Sequence, residues 1–144
     1  MAYLRNPSFE LGKNFWDPIN NASGVTFSVG PSSNPPPVTG SNIANIVTLI
    51  AGGSIGQDTP PITAASVSCF AYVDTNTGAD GALNIWNLTT GDVSSTPFTI
   101  QNPGTWQLVL NTLDIGGTAN VELRVEIYCN QQGGSLSIDY VNLF

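Results

Sequence analysis

Glycine and proline punctuate this chain so densely that regular structure can form only in short runs. Fifteen glycines and ten prolines are spread over 144 residues, with Ser, Thr and Asn crowded around them. Between the breaks stand Val, Ile, Phe, Tyr and Trp, the β-branched and aromatic residues that pack well on a pleated surface. No segment carries the apolar period of a long amphipathic helix. The pattern predicts an all-β fold, and the length suits a single domain, 1–144, with its own buried core.

Candidate strands fall at 2–10, 25–29, 43–49, 53–57, 66–74, 82–88, 98–101, 105–110, 121–129 and 136–144. Pro35, Pro36 and Pro37 exclude regular pairing in the loop between the second and third of these. The clearest alternation puts Val121, Leu123, Val125, Ile127 and Cys129 on one face and Glu122, Arg124, Glu126 and Tyr128 on the other. In 66–74 the inward set is Val67, Cys69, Ala71 and Val73, and the outward set includes Ser68, Phe70 and Tyr72. The last strand departs from strict alternation, because Ile138 and Val141 both read as core yet are three apart; a β-bulge near Asp139 and Tyr140 restores the register. Short alternating strands joined by tight turns predict a two-sheet antiparallel β-sandwich.

Charge excludes some functions. Only Arg5, Lys13 and Arg124 are basic, against ten acidic residues, for a formal net charge of -7. Nucleic-acid binding needs a basic stripe to neutralise phosphates, and there is none. The longest apolar patch, 43–50, is interrupted by Asn45 and Thr48 and falls short of the ~20 residues of a membrane helix. The sequence has no His, which removes the usual proton shuttle of serine triads and the commonest zinc ligand. Glu122 and Glu126 would lie ~13 Å apart along one strand, too far for the ordinary glycosidase geometries, while a pair such as Asp74 with Glu126 stays open. These readings together predict a protein that is not an enzyme.

The ends carry a resemblance. The chain opens with Asn6-Pro7-Ser8-Phe9-Glu10 and a nearby Trp16, and closes with Ile138-Asp139-Tyr140-Val141-Asn142-Leu143. Between them lie Ser68-Cys69-Phe70-Ala71-Tyr72-Val73 and Gly104-Thr105-Trp106. In order and spacing this resembles the calcium-containing jelly-roll carbohydrate-binding modules of the galactose-binding-like β-sandwich superfamily, over nearly the whole chain. The resemblance implies a structural Ca2+ held by Glu10 and Asp139, with carbonyls from the loop around Gly40 and Ser41. Tyr140 stands where that family usually has a second Asp. The other reading of Glu10 and Asp139 is two solvated carboxylates.

The resemblance also implies that one sheet face takes a glycan. Strand parity offers Tyr72, Trp86 and Tyr128 as an aromatic platform, with Asn84 and Glu126 as hydrogen-bonding neighbours. Trp86 could instead cap a sandwich edge, and Trp16 and Trp106 read as core or edge. Cys69 and Cys129 both fall on inward faces; neighbouring strands would allow a disulfide, whereas a reducing cytoplasm would keep two buried thiols, the reading preferred here. The opening lacks the basic and apolar regions of a signal peptide. The expectation is therefore a virion-surface protein, a phage capsid-decoration or fibre component, with capsid or other virion proteins as partners and a possible homo-oligomer. The alternative is an extracellular accessory module of a polysaccharide-degrading enzyme.

Overall fold

The computed structural model describes residues 3–75 and 78–144. Among the described residues ten strands form two five-stranded antiparallel sheets. They are β1 (Asp17–Pro18), β2 (Val25–Pro31), β3 (Asn42–Thr48), β4 (Gly53–Asp58), β5 (Ser66–Asp74), β6 (Asp80–Asn87), β7 (Val93–Thr99), β8 (Gln107–Asp114), β9 (Leu123–Cys129) and β10 (Ser135–Leu143). The front sheet runs β1-β4-β9-β6-β7 and the back sheet β2-β3-β10-β5-β8. From β7 onward the chain changes sheet at every connection, so the two layers are stitched together as a jelly roll. No helix among the described residues is long and apolar enough to cross a membrane.

Alternation explains the core. Val67, Cys69, Ala71 and Val73 of β5 and Leu123, Val125, Ile127 and Cys129 of β9 turn into the core from the two sheets, every one at or below 1% exposure. Burying each Ile, Leu or Val side chain contributes about 1.5–3 kcal/mol. Cys69 and Cys129 belong to opposite sheets and are free thiols; burial pushes the Cys69 thiol up to about 12.

Three sequence expectations are corrected. The segment expected as a strand at 2–10 is a series of turns over its described part, Ala2 lying outside the described residues. Asn6 and Phe9 take positive φ, 50° and 58°, outside the extended region of a regular strand. Two isolated bonds, Tyr3 N–H to the Leu143 carbonyl and Val141 N–H to the Pro7 carbonyl, still tie it beside β10. β7 begins at Val93 rather than 98, because Val93-Ser94-Ser95-Thr96-Pro97 hides its strand character behind small polar residues. β8 extends to Asp114 and leaves Trp106 outside. The expected bulge is present: the β10–β5 register shifts between Asp139 and Asn142, with Tyr140 at φ 47°.

Candidate functional site

Register places five of the front sheet's outward side chains on one face, four of them around a single hollow. Arg124 pairs with Trp86 and Asp58, Glu126 with Asn84 and Gly56, and Tyr128 with Ala82 and Ser54. Paired residues in antiparallel strands project to the same side, so Trp86, Arg124, Asn84, Glu126 and Tyr128 share one face. Ile19, Asn20 and Leu88 complete a shallow hollow of about 260 Å³ against Trp86, Arg124, Glu126 and Tyr128. Larger hollows of about 430 Å³ lie beside Trp16 and Phe27 and between β7 and β8, but neither gathers this set of groups.

Glu126 is the anchor. It faces outward yet is only 3% exposed, and its Oε2 accepts a 2.7 Å bond from Ser54 Oγ, which in turn accepts from Asn20 N–H at 2.9 Å. Gly56 makes room for it: a Cβ there would stand 2.9 Å from Glu126 Cγ and 3.1 Å from Ile19 Cγ1. Arg124 is oriented by a two-point pair to Asp58, at 2.6 and 3.0 Å, which further raises its already high pKa. Burial first, then the Glu126 carboxylate beside it, push the Tyr128 phenol up to about 12, against smaller opposing influences from Trp86 and Arg124. Asn84 Oδ1 and Trp86 Nε1 are both buried without a hydrogen-bond partner. Leaving a buried polar group unpaired costs about 1–3 kcal/mol. Both atoms are covered by the surrounding side chains, so they bear on how Trp86 and Asn84 are held rather than on what the face offers to solvent.

The structure brings four of the five residues that parity proposed for the platform to one face. Trp86, Tyr128, Asn84 and Glu126 come together, but Tyr72 belongs to β5 and points out of the back sheet. Parity assigns a side of a strand, and it cannot say which sheet the strand joins. Tyr72 instead meets Phe70 edge-on at 6.4 Å, and Phe70 also contacts Tyr140 and Phe144. Asp74 ends β5, so it and Glu126 stand on different sheets and do not form an acid pair. Ser54, Gly56, Asp58, Ile19 and Asn20 were not legible as site residues, because only strand pairing brings them to β9.

At the other expected site, Glu10 and Asp139 meet the same loop. Asp139 is fully buried; its Oδ2 accepts from Val38 and Thr39 N–H at 2.8 and 3.2 Å, and its Oδ1 from Tyr140 N–H at 2.8 Å. Glu10 Oε1 accepts from Ser41 and Asn42 N–H at 2.7 and 2.9 Å. Burial raises the Asp139 pKa most, and the Glu10 charge adds to it, while the three amides work in the opposite direction. Ser41 as a carbonyl ligand is corrected: it presents its N–H, and since C=O and N–H are antiparallel across a trans peptide, the Gly40 and Ser41 carbonyls point away from Glu10. The Thr39 carbonyl is the one in this loop not turned away by such a bond. A Cβ at Gly40, φ 68°, would overlap the Glu10 carboxylate, so the loop closes on that side chain only with glycine there.

Fold and face together define a class: a jelly-roll β-sandwich with a polar, aromatic face on one sheet. No protein-family model matches the sequence, and no curated protein does. Solved structures do match its fold. The carbohydrate-binding module TmCBM61, solved with β-1,4-galactotriose, superposes with a TM-score of 0.75 at 17% identity, covering 100% of this chain and 98% of that one. The CBM22-1 xylan-binding domain of Paenibacillus barcinonensis Xyn10C matches with a TM-score of 0.69 at 14% identity, over 99% and 91%. The enzymatically active domain of tailspike protein 4 from bacteriophage CBA120 matches at 0.71 and 14%, over 99% of this chain and 21% of that one. The chain has the jelly-roll fold of the carbohydrate-binding modules.

Proposed function

We propose that this protein is a non-catalytic glycan-binding sandwich. A sugar would stack on Trp86 and Tyr128 and hydrogen-bond to Glu126, Arg124 and Asn84. The observation that carries the reading is the convergence of two aromatic rings, a buried carboxylate and an oriented guanidinium on one sheet face. Sugar rings present apolar C–H faces edged by hydroxyls, which such a surface matches. Asp58, the neighbouring carboxylate, is committed to Arg124 rather than poised beside Glu126 as a second catalytic acid. The test is calorimetric binding of neutral oligosaccharides chosen from a glycan array. Trp86→Ala abolishes binding, Tyr72→Ala leaves it intact, and the bound sugar is recovered uncleaved. Unchanged binding by Trp86→Ala removes the front face from the reading, and cleaved sugar removes the non-catalytic part.

The biological setting we favour is a virion surface, where the module would touch host glycans and hold to other virion proteins. The fold's occurrence within a phage tailspike supports this. Its occurrence in the xylan-binding domain of Xyn10C supports the second reading, an accessory module of a secreted polysaccharide-degrading enzyme. Genes for capsid proteins beside its own, or a hydrolase domain fused to it, separate the two.

A structural Ca2+ belongs to the same proposal. Glu10 and Asp139 would hold it, with the Thr39 carbonyl as the loop's available oxygen. What supports this is that one loop brings both carboxylates together, and a hard cation prefers such oxygen donors; binding it would require the loop amides that donate to Glu10 and Asp139 to give way. Its contribution would be to offset their mutual repulsion and fasten the opening segment to β10.

A further inference from the structure

Among the described residues the two sheets end in four edge strands, and three of them are blunted. β1 has two residues, one of them Pro18; β7 carries Pro97; β2 ends in Gly30 and Pro31. Such devices keep an unpaired strand from recruiting another chain. β8 has none of them: Gln107–Asp114 is eight residues without Pro, Gly, Lys or Arg.

The register shows which groups β8 leaves open. Ser68 and Phe144 exchange both backbone bonds, at 2.8 and 2.9 Å, on the β10 side of β5. Alternation then assigns Cys69, Ala71 and Val73 to the bonds with Asn111, Val109 and Gln107. The N–H and C=O of Leu108 and Leu110 are directed away from the sheet. Their side chains stand outward, 48% and 62% exposed, beside the ring cluster of Phe70, Tyr72, Tyr140 and Phe144. On the outward positions of β8, the described charge is Asp114 at its end.

We infer that β8 is a self-association edge, on which a second copy of this chain pairs β8 to β8, antiparallel about a two-fold axis at Val109. In that register Leu108 faces Leu110 of the second copy, the pair exchanges both open backbone bonds, and four leucines meet on the outer face. Gln107 faces Asn111, and Asp114 faces Gly104, so no carboxylate meets its own copy. A net charge of -7 disfavours self-association in general, but the outward positions of β8 carry no charge before Asp114, so pairing here brings no like charges face to face along the strand. The interface belongs at the low end of specific ones, about 1,200 Å² in all, so the dimer dissociates on dilution.

Sedimentation velocity over a concentration series tests it, using the intact chain and two double variants. One is Leu108→Lys with Leu110→Lys; the other is Leu108→Glu with Leu110→Glu. Both positions are exposed, so unchanged melting curves certify the fold. The wild type shifts from monomer to dimer with concentration, each variant loses the dimer, and an equal mixture of the two regains it. A wild type that stays monomeric up to its solubility limit overturns the inference. So does a variant that still dimerises alone, or a mixture that stays monomeric.

Discussion

Asn6→Ala should be among the most damaging single changes outside the hydrophobic core. The side chain is 9% exposed and makes three hydrogen bonds of 2.9 Å: Nδ2 donates to the Gly12 and Asn14 carbonyls, and Oδ1 accepts from Leu11 N–H. The Asn6 carbonyl accepts the Trp16 indole N–H, also at 2.9 Å, so the same residue positions the core tryptophan. Each bond contributes about 0.5–1.5 kcal/mol net. At φ 50° Ala tolerates the left-handed region less well than Asn does, which adds roughly 1 kcal/mol. The expected loss is about 3–5 kcal/mol. Urea unfolding followed by tryptophan fluorescence should show a lower midpoint at an unchanged slope. Asn14→Ala serves as the control, because Asn14 is exposed and contributes only its backbone; its effect should stay within about 0.5 kcal/mol. An Asn6→Ala loss below about 1 kcal/mol would refute the idea that this side chain organises the opening turns.

Gly40→Ala must adopt φ 68° and displace Glu10 from the Ser41 and Asn42 amides, so it should cost about 2–3 kcal/mol in denaturant unfolding. Gly91→Ala, at φ 84° with nothing near its Cβ, should cost only about 1 kcal/mol. Chelation at matched ionic strength should lower the melting temperature of the wild type and leave Glu10→Gln unmoved; an unmoved wild type argues against bound Ca2+. The difference in phenolate absorbance between wild type and Tyr128→Phe should titrate near 12 rather than 10. Because the folded state keeps that proton to higher pH, its stabilising contribution is present below 10 and declines as pH rises from 10 toward 12. Glu126→Gln should bring that midpoint down without restoring it to 10, since burial is the larger cause.

Sequence patterning was informative where a face was buried on a strictly two-residue period. The inward rows of β5 and β9, and the bulge at Asp139, all follow from that period alone. It was misleading at the opening segment, where Leu4 and Phe9 are core residues held by turns, so burial was present without a strand. The site divides in the same way. Trp86, Asn84, Glu126 and Tyr128 lie on outward positions that parity could identify, whereas separating Tyr72 from them required knowing that β5 and β9 join different sheets. Asp58 opposite Arg124 and Ser54 beneath Glu126 depend on the β4–β9 register, which no local pattern contains.

The molecule's two outer faces have different chemistry. The front face holds a buried carboxylate, a paired guanidinium and amides around its rings; the back face surrounds its rings with exposed leucines and a bare strand edge. Polar groups arranged to hydrogen-bond suit a hydroxylated ligand, whereas Leu108 and Leu110 offer a sugar nothing but apolar contact. Pairing through β8 extends the back sheet and leaves both front faces uncovered, so one assembly would present two glycan sites. Linking two sites raises avidity by about 10²–10⁴-fold without any new contact, provided both can reach the same polymer. Leu108→Lys with Leu110→Lys should therefore weaken binding to an immobilised polysaccharide far more than to a short oligosaccharide. Equal losses on both ligands would mean that these leucines act at the sugar site itself, and would contradict the division between the two faces.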